Sequence, residues 1–130
     1  MQLILGGANQ GKLEWVLHHS GYTAEQVADG ETIPLDTLPD KPVLDHLHRW
    51  IFRLMQAEAD PAAALEAYLE RMPDAVLICD EIGCGVVPIQ PQERQWREQT
   101  GRLCCLLAKR AERVVRIFCG LPMVLKEEKR

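Results

Sequence analysis

The chain has 130 residues, 47% of them hydrophobic, which suits one ordinary domain with a real core. A formal net charge of -4 gives no general attraction for nucleic acid or anionic membrane, so any anion site must be local, built from backbone N–H groups and a few placed cations. No apolar run approaches the roughly 20 residues that span a bilayer. The opening MQLILGGANQGK has neither a basic n-region nor a long apolar segment, so no secretion signal is expected.

Residues 2–5 form a short apolar run ending in Gly6-Gly7 and read as a buried strand. From Gly11 to about His19, Leu13, Val16 and Leu17 recur at helical spacing, and Ser20-Gly21 stops that helix. Pro34, Pro39 and Pro42 break up residues 22–42, which read as loop with a short strand near 26–28. Residues 43–57 carry Leu44, Leu47, Ile51, Leu54 and Met55 as a helical stripe. Asp60-Pro61 reads as an N-cap and first helical residue, opening a helix that runs to about Met72 with Leu65, Tyr68 and Leu69 inward. Residues 75–79 are a continuous apolar run of the kind that is buried on both faces of a parallel sheet. A helix is expected from about Pro91 to Ala111, with Trp96, Leu103, Leu106 and Leu107 inward. Residues 114–119 read as a last strand, followed by Gly120 and a short extension to Leu125. Strands alternating with helices predict an α/β three-layer fold with a small, mostly parallel sheet of three or four strands.

The loop between the first strand and helix carries the chemistry. Gly6-Gly7-Ala8-Asn9-Gln10-Gly11-Lys12 fits the first seven places of G-x-x-x-x-G-K-[ST], a phosphate-binding P-loop. Glycines let successive N–H groups turn inward as an anion nest, and the helix start adds its positive end. Lys12 would reach the outer phosphates as a point charge. The eighth place is Leu13, which has no hydroxyl to ligate Mg²⁺. The simpler alternative is a tight strand-to-helix turn; the position directly after a strand and before a helix favours the P-loop. Residues 1–130 are then expected to form a single P-loop-like α/β domain.

In such sheets, ligands gather at the carboxyl ends of the strands, which would bring Asp80-Glu81 to the same edge as the loop. Glu81 is the expected carboxylate for Mg²⁺ or for proton transfer, with Lys12 as its catalytic partner. The plainer alternative is an acidic pair that caps the strand and neutralises Lys12. Cys79, Cys84, Cys104, Cys105 and Cys119 are odd in number and are expected as reduced thiols in a cytoplasmic chain. The five-residue step from Cys79 to Cys84 loosely fits a zinc knuckle, but no second pair follows at ligand spacing. Cys79 and Cys119 sit in strand-like apolar runs, where a thiol acts as a small hydrophobe.

The stretch Asp80-Glu81-Ile82-Gly83-Cys84-Gly85-Val86-Val87-Pro88 resembles the N-E-V-G-x-G-[IV]-V-P stretch of the bifunctional adenosylcobinamide kinase / adenosylcobinamide-phosphate guanylyltransferase family. Arg94-Gln95-Trp96-Arg97-Glu98 with Gly101-Arg102 is similar to that family's R-x-[FY]-R-D-x-x-G-R helix, and Leu5-Gly6-Gly7-Ala8 with Gly11-Lys12 to its loop. The resemblance covers residues 1–20 and 74–126. It implies a P-loop fold, a homo-oligomer, GTP or ATP with Mg²⁺ as cofactors, and a nucleotide and a corrinoid as partners. The activity it implies is phosphorylation of adenosylcobinamide, then GMP transfer through a guanylated histidine. Under it, Gly6, Gly7, Ala8, Asn9, Gln10, Gly11, Lys12, Leu13, Arg97 and Arg102 are candidate nucleotide-binding residues, and Glu81 the candidate metal ligand.

The departures from the family are specific. Leu13 replaces the loop serine, Asn9-Gln10 the usual Arg-Ser pair, Asp80 an Asn, and Cys104 an Asn after Gly101-Arg102. The middle of the chain is shorter than the family pattern. The histidine-bearing helix and a further strand ending in acid are expected in the part that is missing. His18 and His19 end the first helix, and His46 and His48 lack the family's context, so none takes the guanylation role; they are expected as polar helix-face residues. Two readings follow: a nucleotide- or phosphate-binding relative with weakened or lost catalysis, or a non-catalytic regulatory or scaffold paralogue that binds no nucleotide.

Overall fold

The computed structural model describes residues 1–82 and 90–128. The strands are β1 (Gln2–Gly6), β2 (Val27–Asp29), β3 (Val43–Asp45), β4 (Val76–Asp80), β5 (Arg113–Phe118) and β6 (Leu121–Glu127). The helices are α1 (Lys12–Ser20), α2 (Leu47–Gln56), α3 (Pro61–Arg71) and α4 (Pro91–Arg110), with a short 3₁₀ turn at Ala24–Gln26. Residues 83–88, the glycine-rich part of the stretch that opens at Asp80, lie outside the described residues.

All six strands join one sheet in the order β2-β3-β4-β1-β5-β6, parallel except for β6. The alternation of strand side chains splits the core into two layers. Leu3, Leu44, Leu77, Cys79 and Val114 face α2, α3 and α4, where Leu47, Trp50, Ile51, Leu54, Tyr68, Leu69, Leu103 and Leu107 meet them. Ile4, Val43, Val76, Ile78, Val115 and Ile117 face the other way, onto Trp15 and Val16 of α1. This is the expected three-layer α/β arrangement with a mostly parallel sheet.

The sheet has six strands where three or four were expected. The extra ones are short or exposed. Residues 43–45 read as the start of a helix but form β3, and the helix begins only at Leu47. The apolar stripe ran across this change because Leu44 of the strand and Leu47, Ile51 and Leu54 of the helix all pack into the same cluster. The bend between them is at His46, whose φ of 53° breaks the extended run. The closing extension is likewise a strand, β6, joined to β5 by a hairpin whose turn residues, Cys119 and Gly120, have φ of 51° and 76°. Two successive positive φ values suit the tight twist of a two-residue hairpin. Cys119 therefore sits exposed in a turn and not within an apolar strand. Leu106, expected inward, is 60% exposed. Leu103 and Leu107, four apart, take the buried face of α4, and Leu106 falls beside it.

The remaining expectations stand close to the observed bounds. Asp60 caps α3, its Oδ1 accepting from the Ala62 N–H at 3.0 Å, with Pro61 at the first helical position. β4 is buried from Val76 to Cys79, as a strand with helices on both sides must be. Among the described residues, no helix is long and apolar enough to cross a membrane.

Candidate functional site

β1 lies between β4 and β5, and its end delivers the loop of residues 7–11 to the carboxyl edge of the sheet. Gly11 precedes α1 with φ of 86°, a left-handed conformation open to glycine at little cost. Lys12 then opens the helix, and its side chain folds back, only 7% exposed. Its ammonium donates to the Gly7 carbonyl at 2.6 Å and meets Asp80 Oδ1 at 2.7 Å. Strand register explains the second contact, because Gly6 of β1 pairs with Asp80 of β4.

Asp80 and Glu81 were candidates together, and the sheet separates them. The Glu81 N–H donates to the Gly6 carbonyl at 2.9 Å and extends the ladder by one residue. Its side chain alternates away from Asp80 and forms a two-point ion pair with Arg116 of β5, at 2.7 and 3.1 Å. Lys12 is thus brought to Asp80, and Glu81 to Arg116. The plainer reading of the acidic pair, a carboxylate that neutralises Lys12, describes Asp80.

Behind Asp80 stands His48, in the first turn of α2 and 5% exposed. Its Nδ1 accepts the Asp80 N–H at 3.1 Å, so the neutral ring carries its proton on Nε2. That nitrogen lies 3.4 Å from Asp80 Oδ2. Burial, helped by the nearby charges of His46, Arg49 and Lys12, overcomes the attraction of Asp80 and pushes the His48 pKa down to about 4. Trp96 of α4 stacks alongside and donates from Nε1 to the His48 carbonyl at 2.7 Å. His48 is therefore a buried, bonded histidine and not a polar residue on an exposed helix face.

A strand ending in acid that the sequence reading did not separate from the following helix is present as β3, with Asp45 at its end. Asp45 is 8% exposed, and burial raises its pKa above the usual carboxylate value. It accepts the His46 N–H at 2.8 Å. His46 holds its Nδ1 2.8 Å from Asp29 Oδ1 at the end of β2. Burial lowers its pKa, but the bond to Asp29 and the charges of Asp45, Asp29 and Glu31 more than offset that, and the net shift is upward.

Ala8, Asn9, Gln10, Gly11, Lys12, Leu13 and Glu14 line an open cleft of about 300 Å³ together with Asp45, His46 and Asp80. A larger hollow of about 510 Å³ lies between β2 and residues 32–41, away from the loop. The smaller cleft is the candidate site because it joins loop backbone, Lys12 and two strand-end carboxylates. Those carboxylates are hard oxygen donors suited to Mg²⁺, whereas Leu13 supplies none. Asp29, Glu31 and His46 each offer one ligand atom within 4.8 Å of the others, the one such group among the described residues. Arg97 and Arg102 are not brought to the loop. They line a shallow surface on α4 with Gly101 and Cys105, and Arg102 is 71% exposed and pairs with Glu98 at 2.6 Å.

Residues 22–125 match the model of the family described as cobinamide kinase / cobinamide phosphate guanyltransferase. The chain belongs to this family. The bifunctional adenosylcobalamin biosynthesis protein CobP of Pseudomonas aeruginosa is 33% identical over 92 residues, which is 66% of this chain and 53% of that protein. The chain thus spans about half the length of the curated relative it matches. The match to the cobinamide kinase family begins after the loop, at residue 22. Membership agrees with the α/β fold, and the loop stands on its own motif and geometry.

Sequence reasoning missed Asp45 and His48 as parts of the site. Asp45 was hidden by the helical stripe that runs through it. The signal for His48 is weak: a histidine three residues past a strand-end acid, within an amphipathic helix.

Proposed function

We propose that this chain binds the phosphates of a nucleotide at the loop of residues 6–12 and that its phosphoryl transfer is weakened. The observation that carries this reading is the position of Lys12, held at the cleft by Gly7 and Asp80 with the loop backbone beside it. The amides of residues 7–12 would grip the phosphates, and Lys12 would turn from Asp80 to the outer ones. Asp45 and Asp80 would hold Mg²⁺, which neutralises charge on the transferred group when bound. With no hydroxyl at Leu13, that metal has fewer fixed ligands than the motif normally gives, which supports slow or lost transfer. Glu81 keeps a metal role only if it leaves Arg116.

Family membership supports GTP or ATP as the nucleotide, cobinamide or its phosphate as the corrinoid partner, and a cytoplasmic biosynthetic setting. The exposed apolar strip of Phe118, Leu121, Met123 and Leu125 supports a homo-oligomer, and the continuous sheet supports residues 1–130 acting as one unit. A second reading, a regulatory or scaffold paralogue that binds no nucleotide, is favoured by the same Lys12–Asp80 pair, since that cation is already neutralised.

Thermal melting with GTP, ATP and GDP, each with and without Mg²⁺, separates the two. A ligand at about 100 times its dissociation constant adds roughly 2.7 kcal/mol. A shift seen in the native chain and lost in Lys12→Ala supports the binding site. No shift with any nucleotide leaves the scaffold reading.

A further inference from the structure

Two thiols that the proposed site does not use face each other directly behind it. Cys79 is the last buried residue of β4, with no exposed surface. Cys104 sits midway along α4, packed against the same core cluster but partly exposed. Their sulfurs are 3.8 Å apart, in hydrogen-bond contact. Cys105 and Cys119, by contrast, are both exposed.

We propose that Cys79 and Cys104 form a redox-active dithiol that closes to a disulfide between β4 and α4 when the chain meets a peroxide. Closure needs the sulfurs to approach by roughly 1.8 Å, which side-chain rotation together with a small movement of α4 towards β4 supplies. The roles differ. Cys79 has no exposed surface, whereas Cys104 is partly exposed and within reach of a small oxidant, so Cys104 is the attacking thiolate.

The steps balance. The Cys104 thiolate attacks one peroxide oxygen and breaks the O–O bond, giving a sulfenic acid and a hydroxide that takes a proton to leave as water. The Cys79 sulfur then attacks the Cys104 sulfur, forms the S–S bond and expels the second oxygen, which leaves as water with the Cys79 proton. Each thiol gives one electron, and the peroxide takes both. A thiol-containing reductant reverses the bond by exchange.

The bond would act on the site from both sides. Cys79 is followed by Asp80, whose N–H holds the His48 ring. α4 carries Trp96, which holds the His48 carbonyl. Drawing α4 onto β4 therefore moves both supports of His48. This holds whether or not the loop binds a nucleotide.

The test is to treat the folded chain with hydrogen peroxide in small excess, quench, unfold and alkylate the remaining thiols. Peptide mapping should show a cross-link between the peptides holding Cys79 and Cys104. It should be reversed by dithiothreitol and absent in Cys104→Ser, a change at a partly exposed position. The His48 ring signals in NMR should shift on oxidation and return on reduction. Both thiols remaining alkylatable, over-oxidation without a cross-link, or a cross-link to another cysteine would overturn the dithiol. A cross-link that leaves the His48 signals unmoved would overturn its coupling to the site.

Discussion

Lys12 and Asp80 hold each other at 2.7 Å across the junction of β1 and β4, with the Lys12 side chain buried. A phosphate arriving at the loop must take the place of a carboxylate before it gains the full charge of Lys12. The pair is thus both a structural tie and a gate on affinity.

Removing one partner should show this. Lys12→Met leaves Asp80 without its cation and should cost about 3 kcal/mol, the lower end for a broken buried pair because Asp80 is 21% exposed. The double variant Lys12→Met/Asp80→Asn should recover much of that loss in urea denaturation. Asp80→Asn alone should tighten inorganic pyrophosphate binding measured without Mg²⁺, since Lys12 is then released. Weaker binding in Asp80→Asn would show that Asp80 orients Lys12 instead of competing for it.

Leu13→Thr restores the hydroxyl that the loop lacks. It should make nucleotide-induced stabilisation depend on Mg²⁺, at a cost of about 1–2 kcal/mol because Leu13 packs against the α1 side of the core. Melting with GTP, with and without Mg²⁺, reads both effects. An unchanged response to Mg²⁺ would place any metal at the carboxylates alone.

His48 gives the fold a pH dependence of definite sign. Its pKa is about 4 in the folded chain against an ordinary 6.5, so the unfolded chain binds the proton first. The contribution is full above pH 6.5 and is lost as pH falls from there towards 4, a loss of about 3 kcal/mol. His46, with its pKa raised, has the opposite sign: its contribution is full below 6.5 and lost as pH rises through the folded value. Asp45, also raised, adds stability only on acidification from its folded value towards 3.8. Comparing urea stability of the native chain and His48→Gln between pH 7 and 4.5 isolates the histidine. The native slope should be the steeper one, and equal slopes would mean that the His48 pKa is the same in the folded and unfolded chains.

Gly30 is fixed by a close approach rather than by its own φ. Its N–H donates to the Asp45 carbonyl at 2.8 Å, and a Cβ there would meet the His46 carbonyl and the Trp50 side chain. Gly30→Ala should destabilise by about 1–3 kcal/mol through overpacking. It should also loosen the ends of β2 and β3, visible as faster amide exchange at Asp45 and His46.

Much of the fold was legible because the central strands state it directly. Residues 76–79 read as a fully buried strand, and glycine-rich residues 6–12 read as the bend between β1 and α1. The edges were less legible. β2 was read as a short strand near residues 26–28, but β3 has three residues, too few for a period to show. In β6 all but one residue is exposed, so no alternation marks it. In the site, Lys12 was found by its motif, whereas the choice between Asp80 and Glu81 depended on strand register, which sequence alone does not give. Arg97 and Arg102 were offered by likeness of spacing, but on α4 they line a shallow surface with Gly101 and Cys105, and the cleft beside the loop is lined by other residues.

The loop is also bound at its far side to the last turn of the sheet. Gln10 accepts the Gly120 N–H on its carbonyl at 2.8 Å and the Cys119 N–H on its side-chain oxygen at 2.7 Å. β1 itself lies between β4 and β5, strands that come much later in the chain. As the chain emerges from the ribosome, the segment that carries Lys12 is made early but gains its neighbours late. Long-range pairings of this kind form slowly, because chain entropy is lost before they are made. Until the β5–β6 hairpin closes on Gln10, the nascent chain has the loop's sequence without the contacts that fix its shape.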